Sequence, residues 1–178
     1  MVGAPKHAHK ACQIGADIIV AQGGEAGGHT GDIPFSVLIP AVSDAIAQYR
    51  SPLTGQPVLL AAGGGVFDGR SLAAALMLGA SAVWVGTRFV AAKESGASEV
   101  AKKTLVGAGF EEVIRTTIFT GRPVRHFATP YIRDWEENRQ EEIKTLLAKG
   151  IVPLQHDFER LEKEGKLTEE IEDQVVFM

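Results

Sequence analysis

The sequence predicts an α/β fold in which parallel strands are covered by helices, followed by a mostly helical region. Three observations carry that reading. Helix-type and strand-type segments alternate from the N-terminus to Phe89. The strand segments Ile18-Ile19-Val20, Val58-Leu59-Leu60-Ala61-Ala62 and Ala82-Val83-Trp84-Val85 are apolar throughout rather than alternating, the pattern of parallel strands lying beneath helices. Each is followed by a glycine-containing turn, and the C-terminal ends of strands are where α/β folds build their sites.

Taken in order, residues 6–14 read as a helix stopped by Gly15, and residues 16–21 as the first strand. Residues 37–49 form the next helix, with Leu38, Val42, Ala45, Ile46 and Tyr49 on one face at helical spacing. Pro40 fits that helix only in its first turn, because proline lacks the amide hydrogen an interior turn needs. Residues 51–56 are a loop, 58–62 the second strand, and Gly63-Gly64-Gly65 a second glycine loop. A helix over residues 68–78 carries Leu72, Ala75, Leu76 and Gly79 on one face; residues 82–85 are the third strand, from which Gly86-Thr87-Arg88-Phe89 turns out.

Beyond Phe89 the character changes. Residues 98–106 read as a helix and residues 113–120 as extended chain broken by Gly121-Arg122-Pro123. Asp134, with Glu137 as its capping-box partner, opens a charged helix that Gly150 stops. Residues 157–164 form a short charged helix stopped by Gly165, with Phe158 and Leu161 as a narrow docking stripe. The charges of this region, and His126 and His156 within it, read as solvent-facing.

A chain of 178 residues holds one domain with a sizeable core. Its 45% hydrophobic and 22% charged residues are those of a soluble globular protein. A formal charge of −4 without a basic run argues against a nucleic-acid surface. No apolar stretch approaches the roughly 20 residues of a membrane helix, and the first residues lack the apolar core of a signal peptide. The single cysteine, Cys12, cannot pair within the chain and suits a reducing, cytoplasmic setting, where it reads as a small buried thiol.

The sharpest functional signal is residues 21–31, with five glycines and one imidazole in eleven positions after an apolar strand. Glycine offers nothing to packing, so such a loop serves a close backbone approach or positive φ. His29 at its end is either a general base, since imidazole titrates near neutrality, or a structural ring bonded to a loop carbonyl. Spacing leaves that choice open. Glu25 either orients the loop or faces water, and Asp32 reads as a local turn or cap acceptor. Gly63-Gly64-Gly65 and Gly86-Thr87 lie one βα unit apart, and the second opens a short helix. Their amides and the helix dipole form a cradle matched to a phosphate. His7 and His9 fall on different helix faces. No metal-site spacing and no nucleophile elbow is present, so metal chemistry is not expected.

Several of these segments together resemble the flavin-dependent nitronate monooxygenase family: Gly15-Ala16-Asp17, the loop from Gln22 to Gly31, Ala62-Gly63-Gly64-Gly65 with Asp68-Gly69-Arg70, and Val85-Gly86-Thr87-Arg88-Phe89. Ile114-Arg115-Thr116-Thr117 and Thr120-Gly121-Arg122-Pro123 are similar to the family's accessory region. The resemblance implies an FMN-binding TIM-type βα barrel over residues 1–95 and a helical accessory region over residues 96–178. It implies oxidation of alkyl nitronates by O2 to a carbonyl compound and nitrite. His29 matches the histidine that takes the α-proton of a neutral nitroalkane. Gln22, Gly27, Gly28, Gly64, Gly65, Gly86 and Thr87 match positions around the flavin. A complete barrel takes about 250 residues, whereas this chain offers three strands and a stub at Val2-Gly3. It is therefore expected to be a fragment without the N-terminal barrel strands, its sheet edges and apolar faces exposed, ending at residues 174–178 short of the family's closing helices. Two rivals remain: a flavin-dependent enoyl-thioester reductase, which shares the loop and histidine, and a non-catalytic piece that retains flavin-phosphate binding.

Overall fold

The computed structural model describes residues 1–175; residues 176–178, part of the expected early end, lie outside the described residues. The chain divides into two compact units between Ser95 and Gly96.

In the first unit, helix α1 (Pro5–Gln13) begins on a proline, whose missing amide is harmless there. It ends at Gly15, whose φ of 94° turns the chain into strand β1 (Ile18–Gln22). A two-residue strand, β2 (Gly28–His29), lies in the glycine loop and is followed by helix α2 (Phe35–Ile46). Strand β3 (Leu59–Gly63), helix α3 (Gly69–Met77), strand β4 (Ala82–Trp84) and the short helix α4 (Thr87–Val90) complete the unit. The sheet order is β1-β3-β4, all parallel, with Ile18 opposite Leu59, Gln22 opposite Gly63 and Gly63 opposite Trp84. Val2 bridges Ala21 in parallel on the other edge of β1, so the stub is a one-residue strand.

This is the parallel βα architecture of a partial TIM-type barrel, and its sheet is covered on one face. Ile19, Ala21, Leu60 and Ala62 point under α2, where Leu38, Ile39, Val42 and Ile46 are buried. The opposite face carries Ile18, Leu59 and Trp84 at 58%, 49% and 56% exposure.

Several sequence readings shift. Helix α2 starts at Phe35, so Pro40 lies inside it rather than in its first turn. The early start follows from Pro34, whose extended backbone leads straight into the helix, and from an amide partner described below. The predicted face of α3 is only partly used: Ala75 is buried, while Leu72 and Leu76 are 40% and 48% exposed. Asp68 caps α3 with Ser71, the carboxylate accepting the Ser71 amide at 2.9 Å. That bond and the Ser71 hydroxyl hold the Asp68 carboxyl below its ordinary range. Below the sheet, Asp17 accepts from the Ser51 hydroxyl and the Leu53 amide, which ties the loop over residues 51–56 to the start of β1.

The second unit holds helix α5 (Glu99–Gly107), capped by the Ser98 hydroxyl, and a 3-10 turn (Phe110–Glu112). An antiparallel hairpin follows, formed by β5 (Val113–Thr116) and β6 (Val124–Phe127) in register from Val113–Phe127 to Thr116–Val124. The sequence reading missed β6. The single charged helix expected from Asp134 is two helices, α6 (Pro130–Asn138) and α7 (Gln140–Ala148), broken at Arg139. Thr129 and Pro130 supply the N-cap and the first residue, four positions before Asp134. Helix α8 (Pro153–Lys163) and helix α9 (Glu169–Asp173) follow. Gly150 and Gly165 are the stops, with φ of 72° and 66°. Ile118, Ile132, Trp135, Ile143 and Leu146 form the core.

Two residues read as solvent-facing are inside. His126 is 3% exposed, donates from Nδ1 to the Phe127 carbonyl and stacks on Phe119 at 4.7 Å; burial lowers its pKa. His156 is half-buried. Nor are all the charges solvated. Asp157, 1% exposed, accepts from Arg139 at 3.0 and 3.1 Å, from Arg160 and from the Tyr131 hydroxyl at 2.8 Å. Arg139 also bonds Glu142 and stacks over the Trp135 ring at 3.4 Å. Burial alone would raise the Asp157 pKa, but the Arg139, Arg160 and Tyr131 hydrogen bonds outweigh it and hold it at about 2. This hub joins α6, α7 and α8, with Arg139 at the break between the first two.

Replacing Asp157 by Asn should cost about 3 kcal/mol of stability in the second unit, because two guanidinium groups lose their shared buried carboxylate, measured by urea denaturation at pH 7. In the parent chain the contribution of Asp157 is complete above the unfolded pKa of about 4 and is lost as pH falls toward 2. The variant should show a flatter acid limb over that window.

Candidate functional site

The site begins with three loops at the C-terminal ends of β1, β3 and β4. Parallel register brings those ends side by side, and glycines let the chains touch. A Cβ at Gly64 would stand 2.8 Å from the Gly23 carbonyl oxygen and 3.0 Å from its nitrogen, and Gly64 has a φ of 90°. A Cβ at Gly27 would stand 2.7 Å from the Thr87 hydroxyl oxygen. The first loop therefore packs against the second backbone to backbone, and against the third where Gly27 makes room for the Thr87 side chain. Gly23 donates to the Gly63 carbonyl at 2.9 Å, which extends the β1–β3 ladder into the loop.

Polar groups close the first loop on itself. The Gln22 side-chain amide donates to the His29 carbonyl at 2.6 Å, the Thr30 hydroxyl to the Gly23 carbonyl at 3.1 Å, and the Gly24 amide to the Ile33 carbonyl at 2.9 Å. The Glu25 carboxylate accepts the Phe35 amide with both oxygens, at 3.0 and 2.9 Å. The sequence left Glu25 open between orienting the loop and facing water; it is the acceptor at the start of α2, a role the sequence reading gave to Asp32. The signal was available in the Pro34-Phe35 start, since Pro34 has no side-chain acceptor for that amide.

His29 is exposed at the rim, with its carbonyl held by Gln22. Gly28 before it has a φ of 69° and open space where a side chain would stand. Gly65, with a φ of 73°, continues the turn from Gly64. Gly86 is the N-cap of α4 and also leaves open space. The first amides of α4, at Thr87 and Arg88, have no acceptor within the helix, as at every helix start. The loops after β3 and β4 thus bring the Gly64-Gly65 turn and the first amides of α4 to neighbouring strand ends. Gln22, Gly27, Gly28, His29, Gly64, Gly65, Gly86 and Thr87 all belong to these three loops. Among the described residues no group of three or more His, Cys, Asp or Glu is placed to hold a metal ion. Cys12 lies away from these loops in α1, and burial raises its pKa. No helix among the described residues is long and apolar enough to cross a membrane.

Parallel βα units with glycine loops and one imidazole at the strand ends define an enzyme-type site. A profile of the nitronate monooxygenase family matches residues 1–174, and the chain belongs to that family, which is one of flavin-dependent oxidoreductases. Among curated relatives, a (3aS,4S,5R,7aS)-5-hydroxy-7a-methyl-1-oxo-octahydro-1H-indene-4-carboxyl-CoA dehydrogenase of Mycobacterium tuberculosis is 43% identical over 135 residues, covering 76% of this chain and 36% of that protein. A probable nitronate monooxygenase of Bacillus subtilis is 36% identical over 141 residues, covering 74% and 37%. Among solved structures, FabK from Thermotoga maritima superposes with a TM-score of 0.67 at 32% identity, covering 85% of this chain and 49% of that one. Nitroalkane oxidase from Streptomyces ansochromogenes does so with a TM-score of 0.65 at 32% identity, covering 75% and 39%. The chain spans about a third of the length of these curated relatives.

A Gly64→Ala change should cost more than about 2 kcal/mol, since it adds both positive-φ strain and a backbone collision. Gly69→Ala, at the open start of α3, should stay within about 1 kcal/mol of the parent. Urea denaturation of the two variants side by side checks the contrast.

Proposed function

We propose that the first unit holds the phosphate end of FMN on the amides of Gly64, Gly65, Gly86 and Thr87, with Gln22, Gly27 and Gly28 beside the cofactor. In this reading His29 is the general base in the oxidation of nitroalkanes and their nitronates by O2, to a carbonyl compound and nitrite. The observation that supports it is the meeting of the three strand-end loops, Gly23 against Gly64 and Gly27 against Thr87, with His29 at their rim.

The flavin, when bound, supplies the redox chemistry, and the residues of this chain bind, orient and move one proton. Backbone amides suit the phosphate because they donate without a side chain to reorganise. A neutral nitroalkane must lose its α-proton before it can be oxidised, and the imidazole of His29 accepts that proton. A nitronate supplied ready-made has already lost it. The exposure of His29 lets a small substrate reach the ring, and the bond from Gln22 to its carbonyl fixes the backbone that carries it.

A second reading, a flavin-dependent oxidoreductase of acyl thioesters, is favoured by one observation: the 43%-identical relative carries a CoA thioester in its name. Oxidation of a reduced nicotinamide coupled to an enoyl thioester, with no nitronate-dependent oxygen uptake, would select it.

The test is a visible spectrum of the purified chain with added FMN, followed by oxygen uptake with a neutral nitroalkane and with its preformed nitronate. The expected result is a bound-flavin spectrum and turnover of both. His29→Asn should then lower kcat/KM for the neutral form by about a hundredfold, the scale of one general base, and leave the nitronate nearly unchanged. Equal losses on both forms would overturn the base role. A chain that takes up no FMN would overturn the cofactor site, and flavin uptake with turnover at background would select the non-catalytic alternative.

A further inference from the structure

We infer that Glu25 is a positioning residue for His29, a clasp that closes the catalytic loop onto the start of α2. The inference rests on the reading of His29 as the base, and its geometry comes from the loop itself. Glu25 and Phe35 are joined at the base of a segment that contains Gly27, Gly28 and His29, and both carboxylate oxygens reach the one Phe35 amide.

Phe35 is the first residue of α2, where amides lack helical acceptors, and its N-cap, Pro34, offers no side-chain acceptor. A carboxylate delivered from elsewhere in the chain meets both the unpaired donor and the positive end of the helix dipole. The neighbouring glycines leave room for this arrangement. A Cβ at Gly23 would lie 2.7 Å from a Glu25 carboxylate oxygen and 2.8 Å from both the nitrogen and Cα of Phe35. A Cβ at Gly65 would lie 3.4 Å from the Glu25 Cβ. Glu25 therefore sits where the loops after β1 and β3 and the start of α2 converge, and Gly23 clears the space for its carboxylate. Helix α2 is anchored by Leu38, Ile39, Val42 and Ile46 in the core, so the clasp transfers the rigidity of a packed helix to a glycine-rich loop.

Without the clasp, Gln22 and Thr30 still tie His29 and its neighbour to the strand end and the Gly24 amide still meets the Ile33 carbonyl, but the side-chain tie from the loop to the first amide of α2 is gone. The consequence is a wider range of positions for the His29 ring. Proton abstraction from a neutral nitroalkane, which needs the ring in one place, suffers; oxidation of a preformed nitronate does not.

The test compares Glu25→Ala and Glu25→Gln, the latter keeping a side-chain oxygen as acceptor. Amide hydrogen exchange should rise at least about tenfold at Phe35 and Gly24 in Glu25→Ala, the effect of losing one charge-assisted hydrogen bond, and return toward the parent in Glu25→Gln. Kcat/KM for the neutral nitroalkane should fall about tenfold in Glu25→Ala with the nitronate spared, and recover in Glu25→Gln. If Glu25→Ala does not fold, Phe35→Pro removes the donor at a position where proline suits a helix start, and Phe35→Ala controls for the lost ring. Unchanged exchange at Phe35 and Gly24 would overturn the clasp whatever the activity. Raised exchange with both substrates affected alike, in a chain where His29→Asn separates them, would overturn the positioning role and leave the base reading standing. If His29→Asn fails to separate the substrates, the base reading falls and takes this role with it.

Discussion

The candidate site depends on two peptide backbones passing closer than a side chain permits. Gly23 and Gly64 sit just beyond β1 and β3, and the space a Cβ would need at Gly64 is filled by the Gly23 carbonyl. Parallel pairing makes this encounter unavoidable, because residues 22 and 63 are register partners and the chains leave the sheet together. Only a loop without side chains can turn there. The same constraint recurs where Gly27 meets Thr87, so the three strand-end loops form one surface. Positive φ at Gly64 and Gly65 then turns the second loop away from the sheet.

The sheet that carries these loops is finished on one side. Ile19, Ala21, Leu60 and Ala62 lie under α2 and, together with Leu38, Ile39, Val42 and Ile46 of that helix, form most of the unit's core, whereas Ile18, Leu59 and Trp84 alternate onto a face open to solvent. Strand side chains alternate faces, so apolar residues at every position call for cover on both. Here the helix-facing half of that requirement is met within the unit. In the second unit the weight is carried differently. A small core around Trp135 and Ile132 is joined by a buried carboxylate, and Arg139 both stacks on Trp135 and pairs with Asp157. Such a hub stabilises little by its charges alone, since desolvation offsets most of the attraction. What it does is fix where three helices meet.

The legibility of the sequence follows the range of the interactions. The three strands, the helices between them and the glycine loops were readable because apolar runs, helical spacing and glycine stops are local signals. Boundaries moved by one to four residues, as when Glu25 met the Phe35 amide, α2 began there and Pro40 fell in the helix interior. Features that depend on partners far along the chain were missed. Strand β6 pairs with β5 across a turn, and Val124-Arg125-His126-Phe127 mixes charge with apolar residues, so nothing local marked it or the burial of His126. Asp157 looked like any surface acid because Arg139 and Tyr131, its partners, lie in other helices. The resemblance in the glycine loop carried the site further than spacing did, since spacing alone left His29 undecided.

The arrangement around His29 separates the fixing of a backbone from the exposure of a side chain. Gln22 holds the His29 carbonyl, Thr30 holds the Gly23 carbonyl and Glu25 holds the amide of α2. Each of these polar side chains is engaged with main chain, and His29 is exposed. A base has to be accessible to substrate and confined in position, and a glycine loop supplies access at the expense of confinement. Polar ties on three sides of the loop return that confinement without covering the ring. The Glu in the midst of five glycines is the side chain that joins the loop to the first amide of the following helix.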